Sequence, residues 1–206
     1  MCPVYELVRW YEMNVYDFDK TIYSGDSSIN FYLFCAKKKP ILFTYLVLHI
    51  WWMIIYKARL CSKEKLKEKY FGFVLKIDVD KMIKEFWDHH IKKIKPWYLN
   101  QKRCDDVIIS ASPDFLVRPC LERIGITNCI CSSLSLPNVK FEGKNCYGEE
   151  KVNRFRKIFS NRAISNFYSD SLSDEPLASI SDNAYIVQEN NIIPWNTYKR
   201  KTKKSK

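Results

Sequence analysis

The chain has only five glycines and three histidines in 206 residues. Neither Gly72 nor Gly125 belongs to a phosphate-binding loop, so ATP use has no support. His49 lies inside an apolar run, while His89 and His90 adjoin on an expected helix and so face different directions. No cysteine or carboxylate set at ligand spacing joins them, and core or surface histidines are expected rather than a metal centre. A secretory signal is also not expected, because Met1 to Glu12 carries acidic residues and lacks a suitable apolar segment. The eight cysteines (Cys2, Cys35, Cys61, Cys104, Cys120, Cys129, Cys131 and Cys146) are scattered and mostly adjoin apolar residues. Cys129-Ile130-Cys131 puts two thiols on one face of a strand, yet no second close pair completes a zinc site. Reduced thiols in a cytoplasmic protein are the expectation, rather than a disulfide framework.

Acidic charge is in deficit, at a formal +11, but the excess is local. Lys199, Arg200, Lys201, Lys203, Lys204 and Lys206 crowd the last eight residues. Residues 199–206 lack apolar side chains and are expected to be a disordered basic tail. Such a tail attracts anionic lipid or nucleic acid without specificity. No recognition helix, zinc finger or exposed aromatic platform accompanies it, so no specific nucleic-acid partner is expected.

What is present starts with Val15-Tyr16-Asp17-Phe18-Asp19-Lys20-Thr21. Met13 to Phe18 reads as a short buried strand, and Gly25 marks a loop soon after. Side chains two apart on extended backbone point the same way, so Asp17 and Asp19 reach one small volume. Like charges that close are tolerated when a cation or a shared proton intervenes, and Mg2+ suits an oxygen-only set. Ala163 to Tyr168 reads as a second strand, running into Ser169-Asp170-Ser171-Leu172-Ser173-Asp174-Glu175-Pro176 and then a helix at Leu177 to Ile180. Between them Ile108-Ile109-Ser110-Ala111-Ser112-Pro113 is a third apolar run ending in hydroxyls. Three strand ends delivering Asp/Asp, Ser and Asp/Asp suit a parallel sheet with its site at the carboxyl edge.

In these dispersed motifs the chain resembles the haloacid dehalogenase-like phosphatases, and within them the phosphoserine-phosphatase-like branch. The resemblance implies a three-layer α/β/α Rossmann-like core with a parallel sheet and an inserted all-helical cap. The core would be 1–25 with 104–198 and the cap 26–103. It implies Mg2+-dependent hydrolysis of a phosphomonoester through an aspartyl-phosphate, with Asp17 the nucleophile and Asp19 the general acid/base. Ser110 and Lys151 would bind phosphate. Asp17, the backbone carbonyl of Asp19, Asp170 and Asp174 would serve the metal, Asp174 directly or through water. Lys20 departs from the smaller residues common at its place and is expected to point outward. Lys144 competes with Lys151, which is preferred because it falls in the first turn of a helix expected from about Glu149 to Phe159.

The cap reads as helical throughout, with Phe31 to Ala36 opening it, Ser62-Lys63-Glu64-Lys65 as a capped start, and Met82, Ile83, Phe86, Trp87 and Ile91 in helical register. Lys57, Arg59, Lys63 and Lys65 are its candidate binders of a carboxylate on the leaving group. Pro40 to Tyr56 carries no charge that is certain at neutral pH and is flanked by Lys37, Lys38, Lys39, Lys57 and Arg59. A helix buried in the cap and one touching an anionic membrane surface share this composition, although the lack of a polar face weakens the buried reading. Phosphatidylglycerophosphate phosphatases of the same branch combine these motifs with a long apolar cap segment. A lipid phosphate, with peripheral attachment at the inner membrane face, therefore stands beside a small ester such as phosphoserine. A non-enzymatic lipid-binding or interaction protein is the remaining alternative; the full set of mutually repelling carboxylates argues against it.

Overall fold

The computed structural model describes residues 13–160 and 162–204. The segment in which no secretory signal was expected lies outside these residues, as does Cys2. After strand β1 (Met13–Tyr16), every named element from Ser27 to Gln101 is helical. These are α1 (Ser27–Lys38), α2 (Tyr45–Lys57), α3 (Lys63–Tyr70), α4 (Val79–His90) and α5 (Pro96–Gln101). Asp26, Ser62 and Asp78 cap α1, α3 and α4, each side chain accepting the backbone N–H three residues on. The chain then runs β2 (Val107–Pro113), α6 (Asp114–Arg123), β3 (Asn128–Ser132), a small β4 (Leu134–Ser135) and β5 (Lys140–Phe141) hairpin, and α7 (Glu149–Phe159). It ends with β6 (Ile164–Ser169), α8 (Glu175–Ala178), β7 (Ser181–Gln188), β8 (Asn191–Pro194) and α9 (Trp195–Lys204).

The main sheet has the order β3-β2-β1-β6-β7-β8, parallel except for β8. Strand alternation divides the core between its two faces. Tyr16 and Ile108 point to one side, among Leu116 and Val117 of α6, Phe31 of α1, and Phe86 and Trp87 of α4. Val15, Val107, Ile109 and Phe167 point to the other, against Phe155 of α7, Leu177 of α8 and Trp195. Helices on both faces of a mostly parallel sheet make the three-layer α/β fold. Tyr16, Tyr168 and Tyr185 are register partners on β1, β6 and β7 and stack with centroids 4.8 and 5.0 Å apart. Trp87 Nε1 donates to the Leu116 carbonyl at 2.8 Å and ties α4 to α6.

Three expectations need correction. The basic tail is helical over 199–204 as part of α9, because Trp195 is buried beside Phe167 and Lys199 pairs with Glu175. The helix after Asp174 starts at Glu175, with Pro176 in its first turn, where its missing N–H costs nothing. The apolar segment is a 3-10 turn (Pro40–Thr44) leading into α2, and α2 has no fully buried residue. Tyr45, His49, Trp52 and Tyr56 are half-buried at helical spacing, while the opposite face is open.

Candidate active site

Parallel pairing brings the carboxyl ends of β1, β2 and β6 side by side. Asp17 follows β1 directly, and its backbone N–H donates to the Tyr168 carbonyl at 2.8 Å. Asp170 follows β6, and Ser110 lies midway along β2, which runs on to Pro113. The start of α7 supplies the fourth member. Gly148, at φ +56°, turns the chain into the helix, and Lys151 enters the site from its first turn.

Lys151 Nζ donates to Asp17 Oδ1 and to Asp174 Oδ2, both at 2.7 Å, and all three residues are buried. Burial opposes the charge on Lys151, but the two carboxylates hold its pKa above the ordinary lysine value. Burial also pushes Asp17 up, against the pull of Lys151 and with added repulsion from Asp174 and Asp170. Asp174 is fixed further by Ser169 Oγ at 2.8 Å, and Asp17 Oδ2 accepts from Thr21 Oγ1 at 3.3 Å. Lys144 does not reach the site. It is exposed, and its carbonyl accepts from Arg154 at 2.6 Å.

Asp19 is held apart from this group. Its Oδ1 accepts from the Ser27 backbone N–H at 2.6 Å and its Oδ2 from Ser112 Oγ at 2.5 Å. Burial and then the nearby Asp26 raise its pKa to about 6. Ser110 is buried, and its Oγ accepts the Ser112 N–H at 3.1 Å, which leaves the hydroxyl proton for another acceptor. Lys20 is exposed at φ +59°, and its carbonyl accepts from the buried Lys95. Lys95 was missed by the sequence reading, since one lysine before Pro96 gives no sign of a partner some seventy-five residues away.

Asp17, Asp19, Ser110, Lys151, Asp170 and Asp174 line a cavity of about 500 Å³. Its far wall is helical, with Ile29, Trp52, Met53, Leu66 and Tyr70, together with Lys63 and Lys67. Of the four candidate carboxylate binders only Lys63 faces this cavity; Lys65 pairs with Glu68, Lys57 lines a groove outside, and Arg59 is exposed. Lys67 was missed. Its Nζ donates to the Ala111 carbonyl at 2.7 Å and to Asn145 Oδ1 at 2.8 Å, and burial lowers its pKa to about 8. One helical turn from Lys63 on a capped helix was the available signal.

The expected metal set draws on the carboxylates of Asp17, Asp170 and Asp174 and on the backbone carbonyl of Asp19. Among the described residues no three His, Cys, Asp or Glu side chains converge on one ion position. Lys151 draws Asp17 and Asp174, while Asp19 turns its carboxylate to Ser27 and Ser112. The donor chemistry nevertheless fits Mg2+. Asp17, Asp170 and Asp174 repel one another, all donors are oxygens, and Mg2+ takes one or two carboxylates with water and phosphate completing its shell.

A family model described as haloacid dehalogenase-like hydrolase matches residues 15–179. A search of curated proteins gave no match. Among solved structures, the chain is similar to a protein of unknown function from Bordetella pertussis Tohama I, at 16% identity and a TM-score of 0.75, over 94% of this chain and 96% of that one. It is similar to a phosphoserine phosphohydrolase-like protein from Francisella tularensis, at 16% identity and a TM-score of 0.54, over 87% and 88%. A probable phosphoserine phosphatase from Vibrio cholerae aligns at 10% identity and a TM-score of 0.56, over 84% of this chain and 55% of that one. At these identities the likenesses speak for the fold, whereas the family match runs from the Asp17 strand to the helix after Asp174. The chain belongs to the haloacid dehalogenase-like hydrolase family.

Proposed function

We propose that this chain is a Mg2+-dependent phosphatase that hydrolyses a phosphomonoester through a covalent phosphate on Asp17. The observation that carries the reading is the Asp17–Lys151–Asp174 arrangement at the carboxyl edge of the sheet, with Ser110 and Asp19 facing the same cavity. A carboxylate attacks phosphorus when the phosphoryl oxygens are stripped of charge. Lys151 opposes the burial that raises the Asp17 pKa to about 7 and so favours its ionised form, and it has a third N–H for a phosphoryl oxygen, while the Ser110 hydroxyl donates to another. Asp19 gives its proton to the departing alkoxide, so the alcohol leaves as the Asp17–phosphate bond forms. It then takes a proton from the water that cleaves that bond, which releases inorganic phosphate and restores Asp17. A pKa near 6 suits both tasks. Asp17, the carbonyl of Asp19 and Asp170 would hold Mg2+, supported by Asp174. When bound, the ion supplies charge neutralisation at the phosphoryl group. We take residues 26–103 as the cap that shields this chemistry from water and chooses the leaving group.

The test is phosphate release from phosphoserine, sugar phosphates, nucleotides and phosphatidylglycerophosphate, each with and without Mg2+. At least one should be hydrolysed only with Mg2+, and brief exposure should leave a hydroxylamine-sensitive adduct on Asp17. No release from any of them by folded protein, or an adduct on Ser110 or a histidine, rejects the mechanism.

A further inference from the structure

The outer face of α2 has no cover within the described chain. Leu46, Val47, Ile50, Trp51, Met53 and Ile54 are all exposed, Val47 by 71%, Ile50 by 62% and Trp51 by 59%. So much contiguous apolar surface marks a site of interaction. The inner face is tied down: His49 Nε2 lies 3.0 Å from the Tyr70 carbonyl, and Lys69 Nζ sits 5.2 Å from the Trp52 ring centre. The helix therefore lies along α3 instead of standing away from the body. By length and composition the helical run Pro40–Lys57 could cross a membrane, but these inner contacts hold it against the body of the protein. An apolar face held flat in this way suits an interface and not a span.

Two observations choose the occupant. From Ser27 to Lys63 there is no Asp or Glu; Lys38 pairs with Glu85 of α4 and Lys63 faces the cavity, while Lys37, Lys39, Lys57 and Arg59 add positive charge on either side of the apolar run. A second copy would set this positive rim against itself, whereas anionic headgroups complement it. The exposed face is also continuous with the catalytic cavity. His49 and Met53 line both the cavity holding Asp17 and an outer groove with Ile50, Ile54 and Lys57.

We propose that α2 seats the protein on an anionic bilayer surface and that its phosphomonoester is a lipid phosphate, the apolar end resting on the α2 side while the phosphate reaches Asp17. The substrate half rests on the hydrolase reading above; the docking half does not. In the reaction the P–O ester bond breaks, the lipid keeps its oxygen as a hydroxyl, and water supplies the new oxygen of inorganic phosphate.

The full chain is sedimented with vesicles of phosphatidylcholine alone or mixed with phosphatidylglycerol, at low and moderate salt. Phosphate release with Mg2+ is measured from phosphatidic acid in the mixed vesicles and from p-nitrophenyl phosphate in solution. Wild type should bind the anionic vesicles, more weakly at moderate salt, and not the neutral ones. Val47→Ser with Trp51→Ser should lower vesicle binding and lipid-phosphate release together by on the order of tenfold, with soluble-ester release changed less than about twofold. A wild type that ignores anionic vesicles, or a double variant that binds them unchanged, overturns the docking. A stable dimer that this variant converts to monomer overturns it in favour of a second copy. Vesicle binding with release from p-nitrophenyl phosphate but none from phosphatidic acid overturns the lipid substrate. Binding with release from neither ester, nor from any of the phosphomonoesters named above, rejects the hydrolase reading, and the lipid substrate with it, while the docking holds.

Discussion

On the proposed mechanism Asp17 and Lys151 are separable by substitution, because one would react and the other holds charge. Asp17→Asn should abolish turnover with the fold intact, since an amide cannot form the acyl-phosphate; phosphate release and circular dichroism together check this. Lys151→Met should cost more stability, about 3–5 kcal/mol, because it leaves the buried Asp17 and Asp174 carboxylates without their shared cation. Denaturant unfolding of the Mg2+-free protein measures it. Asp170→Asn should weaken Mg2+ binding more than Asp174→Asn does, as titration calorimetry would show, since Asp174 is already engaged by Lys151 and Ser169. Away from the site, Asp106 is buried, and that burial raises its pKa to about 6. A carboxyl raised in the folded state favours folding at low pH and loses that contribution as pH climbs through the folded value. Asp106→Asn should therefore leave Tm unchanged near about pH 3 and raise it above wild type near about pH 8.

Element by element, legibility followed the strength of local signals. The strands around Asp17, Ser110 and Asp170 were readable because each is a short apolar run that stops at polar residues, and the expected α7 span was matched by Glu149–Phe159. Ser62 was readable as a cap because a serine oxygen three residues before a backbone N–H is a local arrangement. The placement of α2 was not, since thirteen mostly apolar residues look alike whether one face or all faces are covered. Nor was α9, because its anchors, Phe167 for Trp195 and Glu175 for Lys199, lie distant in sequence. Gly148 ties an element to the chemistry. Gly148→Ala forces a side chain onto φ +56° and should cost about 1–3 kcal/mol, with a fall in kcat as Lys151 shifts; thermal melts and turnover on a soluble ester read the two effects.

At the scale of the molecule, the basic C-terminal segment is part of the sheet's outer layer as well as a source of charge. Removing residues 199–206 should abolish salt-sensitive retention on DNA while phosphatase activity persists. Cutting before Trp195 should instead destabilise the fold by about 3 kcal/mol or more, because it also strips a buried indole from Phe167. Unfolding curves of the two truncations distinguish these outcomes.

Asp19 is gripped from two sides, by the Ser27 N–H at the start of α1 and by the Ser112 hydroxyl near the end of β2. The proposed proton donor would thus be a hinge pin as well as an acid. Any opening that lifts α1 away from β2 pulls one of its two anchors. An ester that cannot coexist with the assembled pair meets a nucleophile but no aligned proton, so the enzyme's discrimination would show as timing, in slow turnover of substrates that bind well.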